Sequence, residues 1–216
     1  MRGGFDMAGS VVRRLGDVPA AQHGCFTRAQ ASAAGIPDFD LTRSVGRGLI
    51  ERVGHGVYRV AGAGDDPLAE LRIASLRLDP ERTPRQRAAD PKVWVALQSA
   101  ARVHGFGVFA GGPHTFVSRS RIQPGHGTSV RLRSRGLERG DWGLKDGFAV
   151  TSVGRTTADL MSDHVDGGHI GRFVSDALDA GAITMGQLCE RLSADPDEIE
   201  SLIMQSGHHA SVGIDD

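Results

Sequence analysis

Residues 24–61 read GCFTRAQASAAGIPDFDLTRSVGRGLIERVGHGVYRVA, and the assignment of everything around them starts there. Thr27 follows a short apolar pair, Cys25 and Phe26, and stands where a helix N-cap belongs, its hydroxyl able to accept from a first-turn N–H. Residues 28–34 are rich in Ala, the best helix former. Gly35 suits the C′ position, where positive φ costs glycine little. Pro37 pushes Ile36 out of the α region, so residues 36–38 form a tight connection. Asp38 then caps a second helix over about 39–47. Two short helices joined by about four residues make a helix-turn-helix.

Gly48 ends the second helix, and two strand-like runs follow, 49–53 and 57–60, separated by Gly54, His55 and Gly56. A two-residue loop with Gly first suits a type II′ hairpin. With Gly54 and His55 as the loop, Arg52 opposes Val57 and Ile50 opposes Arg59. That register puts both arginines on one face and Leu49, Val53, Tyr58 and Val60 on the other. The spacing therefore predicts a winged helix-turn-helix whose wing has a basic face and a His at its tip.

The second helix is the expected reader. Leu41 and Val45, at i and i+4, point to the core, and Asp40, Arg43, Ser44 and Arg47 fall on the opposite face. Arg bonds guanine O6 and N7 in a bidentate way. Asp40 either accepts from cytosine N4 or orients a neighbouring Arg. Arg28 meets a phosphate, and Arg52, His55 and Arg59 meet a neighbouring minor groove or the backbone. The bland reading of the same arginines is a solvated face, or a winged helix that binds protein.

Charge supports the division. The chain has 216 residues and a net charge of −1, but residues 1–62 hold eight arginines against five acids. From Asp159 onward two arginines face twelve acids. An N-terminal part that meets phosphate and a C-terminal part that does not would show this split. Two cysteines, Cys25 and Cys189, argue against a disulfide scaffold or a cysteine-based zinc site. No window approaches a membrane span, and MRGGFDMAGS lacks the apolar core of a signal peptide. A cytoplasmic setting is expected.

Before this stretch, Val11, Val12, Leu15 and Val18 are spaced for a short helix packed under the helix-turn-helix. After it, residues 62–67 (GAGDDP) read as a domain boundary. Leu68, Leu71, Ile73, Leu76 and Leu78 then read as a helix. Residues 79–90, DPERTPRQRAAD, read as a mobile loop, and 93–104 as a helix. Strands are expected at 114–118, 129–133 and 148–151, forming a small antiparallel sheet. Arg119, Arg121, Arg131, Arg133 and Arg135 cluster among them. They are either a second surface for nucleic acid or a partner, or the solvent face of a half-buried sheet. From Gly154 the chain reads as helical, with Ile170, Phe173, Val174, Ala177 and Leu178 on one face. Thr184 and Asp195 cap the last two helices, and the tail from about 207 reads as disordered.

At this point the sequence resembles the AbiEi-type antitoxins of type IV toxin–antitoxin systems. The resemblance rests on G-x-F-T-R-A-Q-A at 24–31, the following Gly35, and G-x-I-x-R-V-x-x-G-V-Y-R-V at 48–60. It extends to V-T-S-V-G-R-T-T-A-D-L at 150–160 and to the helical part around 176–192. It implies a winged helix that binds inverted repeats at the promoter and represses its own operon, with assembly on DNA that can be cooperative. It also implies a C-terminal domain that counteracts a nucleotidyltransferase-like toxin.

The expectation is thus an α+β protein in two domains. Residues 1–62 form a winged helix-turn-helix, and 63–216 a larger mixed α/β domain with a small antiparallel sheet and a helical C-terminal part. Its partners are double-stranded DNA and the toxin. It is not an enzyme, and neither a metal nor a cofactor is expected. Two rivals remain. One is a stand-alone transcription regulator with a ligand- or partner-sensing C-terminal domain. The other is a DNA-processing enzyme built on Asp90-Pro91-Lys92, where Pro91 disfavours the central strand such a site needs. Arg155 and Asp159, at i and i+4, read either as an ion pair at a helix start or as a partner surface.

Overall fold

In the computed structural model the described residues are 6–109, 111–120, 122, 130–134 and 137–209. The chain is α+β and divides into two compact units, the first ending at Val93 and the second beginning at Trp94.

The first unit runs α1 (Asp6–Leu15), a 3-10 turn (Ala20–Gln22), β1 (Cys25–Thr27), α2 (Arg28–Ala33), α3 (Asp38–Gly46), β2 (Ile50–Gly54), β3 (Val57–Val60), α4 (Ala69–Leu78) and α5 (Pro84–Ala89). Helices α2 and α3 with the β2–β3 hairpin are the expected winged helix-turn-helix. Thr27 caps α2 as its spacing predicts: Gln30 N–H donates to Thr27 Oγ1 at 3.0 Å, and Thr27 N–H donates to Gln30 Oε1 at 2.9 Å. This reciprocal box satisfies two donors that the first turn would otherwise leave unbonded. The cap of α3 is Pro37 rather than Asp38, whose carboxylate is turned to Arg28.

The three strands pair antiparallel in the order β1-β3-β2. One face of this sheet closes the helical core. Phe26 stacks on Tyr58 at 5.7 Å, and Val11, Leu15, Ile36, Leu41 and Ile50 are buried with them. The other face is covered as well. Cys25 and Val57 pack on Leu76, with Ile73 and Val53 beside them. Burial pushes the Cys25 thiol pKa up.

Helix α4 therefore belongs to the winged helix-turn-helix, and the boundary lies after Val93 instead of at 62/63. The reason is the second apolar face of the sheet, which a free-standing wing would leave in water.

Residues 79–90 are not a loose loop. Thr83 caps α5 with Gln86 in a second capping box, with Pro at the first helical turn. The segment straps the start of α2. Thr27 Oγ1 donates to the Pro80 carbonyl, and Gln30 Nε2 donates to the Arg82 carbonyl at 2.8 Å. Arg87 donates to Gln22 Oε1 and to the carbonyls of Asp79 and Arg82. Burial pushes the Arg87 guanidinium pKa down to about 10, against the pull of Asp79.

From the boundary onward come β4 (Val93–Val95), whose first residue is the last of the first unit, α6 (Leu97–His104), β5 (His114–Ser118), β6 (Val130–Ser134), β7 (Trp142–Lys145), β8 (Phe148–Thr151), α7 (Val153–Ser162), α8 (Gly167–Asp179), α9 (Met185–Leu192) and α10 (Pro196–His209). Residues 93–104, expected as one helix, open with a strand because Val93, Trp94 and Val95 are β-branched or aromatic. The sheet order is β6-β5-β4-β8-β7. Where an antiparallel sheet was expected, this one is mixed: β4–β8 and β5–β6 are parallel, and β7–β8 is antiparallel.

Leu97, Ala101, Val153 and Leu160 join the α8 face of Ile170, Phe173, Val174 and Ala177 in a helical core. Helix α10 presses on α8 so closely that a Cβ on Gly171 would lie 2.1 Å from the Leu202 carbonyl oxygen. The α9 cap is Thr184, and Asp195 N–H and Glu198 N–H bond each other's carboxylates at 3.1 and 2.9 Å at the start of α10. The expected disordered tail begins inside α10, which continues to His209; residues 210–216 lie outside the described residues. No helix among the described residues is long and apolar enough to cross a membrane.

Candidate nucleic-acid interface

The outer face of helix α3 joins cationic to large apolar side chains. Arg43 and Arg47 are exposed, as the spacing predicts, and Asp40 is half-buried. Ser44 does not belong to that face. Leu41 and Ser44 are each 1 % exposed, while Val45 is 36 % exposed. A period of 3.6 lets either i+3 or i+4 follow Leu41 inward, and here the inward line takes the serine at i+3. Hydropathy alone had favoured Val45. The outer face thereby gains three residues that the sequence reading passed over: Phe39, 64 % exposed, Thr42 and Val45. The signal for Phe39 was available, since a phenylalanine in the first turn of this helix lies away from Leu41.

The wing differs by one residue of register. Arg52 faces Tyr58, Glu51 faces Arg59 and Ile50 faces Val60, with a bulge between Arg52 and Gly54. Gly54 pairs with Val57, so the turn is His55 and Gly56. The bulge places Arg52 and Arg59 on opposite faces of the sheet. Helix α4 explains why Gly54 is needed: a Cβ there would sit 2.8 Å from Ile73 Cγ2.

Arg52 and His55 remain exposed at the edge and tip. Arg59 does not. It lies on the central strand between Cys25 and Glu51, and its Nη2 donates to the carbonyls of Ala63, at 3.0 Å, and Gly64. Arg59 fastens the chain that leaves the wing and is withdrawn from the interface.

Arg28 is held by Asp38 through two hydrogen bonds, one from Nε at 2.7 Å and one from Nη2. The hydrogen bond raises the Arg28 pKa and holds the Asp38 carboxyl below its usual range. The pair is open to solvent and ties the first residue of α2 to the first of α3. The N–H of Arg28 also donates to the Gly56 carbonyl at 2.8 Å, bringing the wing tip to the same place.

Of the arginines expected as a further basic surface, the three that are described each have a partner. Arg131 and Arg133, two residues apart on β6, both turn to Asp163. Arg119 lies over the ring of fully buried Trp94, 5.3 Å from its centroid, a cation–π contact. Arg121 and Arg135 lie outside the described residues.

Arg155 bonds Asp159 at 3.0 Å and Asp141 at 2.8 Å, and Arg191 joins Asp141 from α9. The i,i+4 reading of Arg155 and Asp159 as an ion pair matches this arrangement. Asp90 ends α5, and its carbonyl accepts from Arg82. Among the described residues, no three or more His, Cys, Asp or Glu are grouped to hold a metal ion.

Comparison with known proteins adds three findings. The crystal structure of the RV2827C protein from Mycobacterium tuberculosis has the same fold: 14 % identity, a TM-score of 0.50, and coverage of 91 % of this chain and 78 % of that one. No curated protein matches the sequence. The family model described as "Transcriptional regulator, AbiEi antitoxin" matches residues 17–61, from the approach to β1 through the wing. Over those residues the chain is similar to the AbiEi antitoxin family of transcriptional regulators, in agreement with the resemblance read from the motifs at 24–31 and 48–60.

Proposed function

We propose that the chain is a DNA-binding antitoxin that represses its own operon by binding inverted repeats in the promoter. The observation that carries this reading is the outer face of α3. Phe39, Thr42 and Val45 are the kinds of side chain that pack on a thymine methyl, and Arg43 and Arg47 the kind that read guanine. On this reading Arg52 and His55 from the wing meet a neighbouring minor groove or the backbone, and Arg28 from α2 meets a phosphate. Asp40 either accepts from cytosine N4 or orients Arg43 or Arg47. Repeated half-sites bring copies together, so assembly on DNA is cooperative. The second unit counteracts a nucleotidyltransferase-like toxin, and the protein works in the cytoplasm.

The deciding experiment is fluorescence-detected binding to the DNA upstream of the gene and to a shuffled duplex, at two salt concentrations. The expected preference is ~10³-fold or more, with a steep salt dependence. Arg43→Ala should relax base preference, by about 1–3 kcal/mol at one position. Arg52→Ala should weaken both duplexes alike and flatten the salt slope. Weak and equal binding of the wild type to both duplexes would overturn the repressor reading.

A further inference from the structure

Beside the reader helix lies a cleft of about 370 Å³ whose polar lining is cationic or hydroxylic. Three separate elements contribute to it: Arg28 and Ser32 from α2, His55 from the wing tip, and Arg77 from α4. Val57 and Leu76 give it an apolar floor. Among the described residues that line it, none is acidic.

Its position follows from contacts already described. Arg28 is bonded to Asp38 at the first residue of α3, and its N–H is bonded to Gly56 in the wing turn. The cleft therefore opens where the start of the reader helix meets the wing. Arg77 comes from a helix beyond the family-matched residues 17–61, brought here because α4 covers the back of the sheet.

We infer that this cleft binds a phosphate group, and that its source is the backbone of the duplex read by α3. Guanidinium groups converge on phosphate with paired N–H donors, and the serine hydroxyl adds another donor. Duplex DNA seated on α3 presents its backbone to the flanks of the helix, where this cleft stands. Arg28 turns Nε and Nη2 to Asp38, which leaves its other amino group for an anion. Arg77 supplies the cation that an isolated winged helix-turn-helix would lack. This rests on the DNA-binding reading above and extends its footprint onto α4.

The test is a salt titration of full-length Arg77→Ala and Arg77→Lys on the upstream and shuffled duplexes, with circular dichroism to establish that both fold. Loss of one phosphate contact lowers the slope of log affinity against log salt by ~0.9. The expected loss of affinity for Arg77→Ala is on the order of fivefold, equal on both duplexes, and Arg77→Lys should restore the slope. An unchanged slope and affinity for Arg77→Ala, on a duplex that the wild type binds, overturns the inference and leaves the function standing. A wild type that binds no duplex overturns the duplex source together with the function. Inorganic phosphate, titrated by calorimetry without DNA, separates the sources. Saturable binding lost in Arg77→Ala, with no change in salt slope, would assign the cleft to a free phosphate instead.

Discussion

Arg72 with Asp66 and Arg28 with Asp38 are the same two side-chain types in two regions of the first unit. The Arg72 pair is 4 % and 3 % exposed; the Arg28 pair is 62 % and 59 % exposed. Both carboxyls titrate below their usual range, by different balances. Burial pushes Asp66 up, and the hydrogen bonds from Arg72 and from the Leu68 N–H outweigh it. Asp38 is lowered directly by the bond from Arg28.

The difference separates structural from available charge. A buried pair cannot exchange its partner without leaving a bare charge in the interior, whereas an exposed pair can trade a carboxylate for a phosphate. Arg59, Arg72, Arg82 and Arg87 are bonded within the fold and at least partly buried, whereas Arg28, Arg43, Arg47 and Arg52 stand exposed at the surface. Composition gives all eight the same weight.

The largest expected effect breaks the buried pair. Asp66→Ala leaves Arg72 desolvated without its anion, which costs about 3–5 kcal/mol. Equilibrium urea unfolding followed by far-UV circular dichroism measures it. Both tryptophans, Trp94 and Trp142, lie in the second unit, so their emission reports that unit separately. The folded pKa of Asp66 is depressed, so its stabilisation is present above the unfolded value near ~3.9. It is lost as pH falls through the folded value, and the variant should show a shallower acid limb. A loss below about 1 kcal/mol would put this pair in the class of surface ion pairs and erase the distinction.

What was legible in the sequence was local. Thr27 with Gln30 and Thr184 with Gln187 are i,i+3 caps, and the strands at 114–118 and 148–151 have β-branched or aromatic runs; all of these fold as read. What escaped was set by distant contacts. The hairpin register depends on a bulge at the point where Ile73, from the following helix, approaches Gly54. Parallel pairing of β4 with β8 joins Val95 to Val150 and leaves no local mark.

The strap is a different kind of miss. Thr83, Pro84 and Gln86 spell a helix start, but the polar composition of 79–90 outweighed it. The outer face of α3 was half legible. Arg43 and Arg47 are where the period puts them, whereas Ser44 and Val45 exchanged places because hydropathy ranks valine inward whatever the packing allows.

His104 carries the comparison into the second unit, with an intermediate effect. Its ring nitrogen Nε2 lies 2.7 Å from the Thr151 carbonyl oxygen, and its own carbonyl accepts from Lys145. Burial lowers its pKa, the Thr151 carbonyl opposes this, and Lys145 adds to the lowering. Here a half-buried base faces a cation, where Arg72 faces an acid.

The depressed folded pKa favours the neutral ring, so the unfolded chain binds the proton first. Stability is therefore full above the ordinary histidine value of ~6.5 and falls as the pH drops through that range. The thermal midpoint read from tryptophan emission should fall between pH 7 and pH 5, and His104→Gln should flatten that dependence. An equally steep fall in the variant would assign it to other groups.

The smallest effect on stability, and the most informative for the interface, comes from the exposed pair. Arg28→Ala should leave the unfolding midpoint unchanged within error, because both partners are already in water. The same substitution should lower the salt slope of duplex binding by ~0.9, since one phosphate contact is lost. Asp38→Asn separates competition from positioning. If Asp38 merely occupies Arg28 until DNA arrives, removing its charge relieves repulsion from the backbone and tightens binding to cognate and shuffled duplexes alike. If Asp38 instead aims the guanidinium, the variant weakens both. The second result would mean that an exposed ion pair organises the interface as firmly as a buried one organises the core, and the division between structural and available arginines would fail at the residue where it matters most.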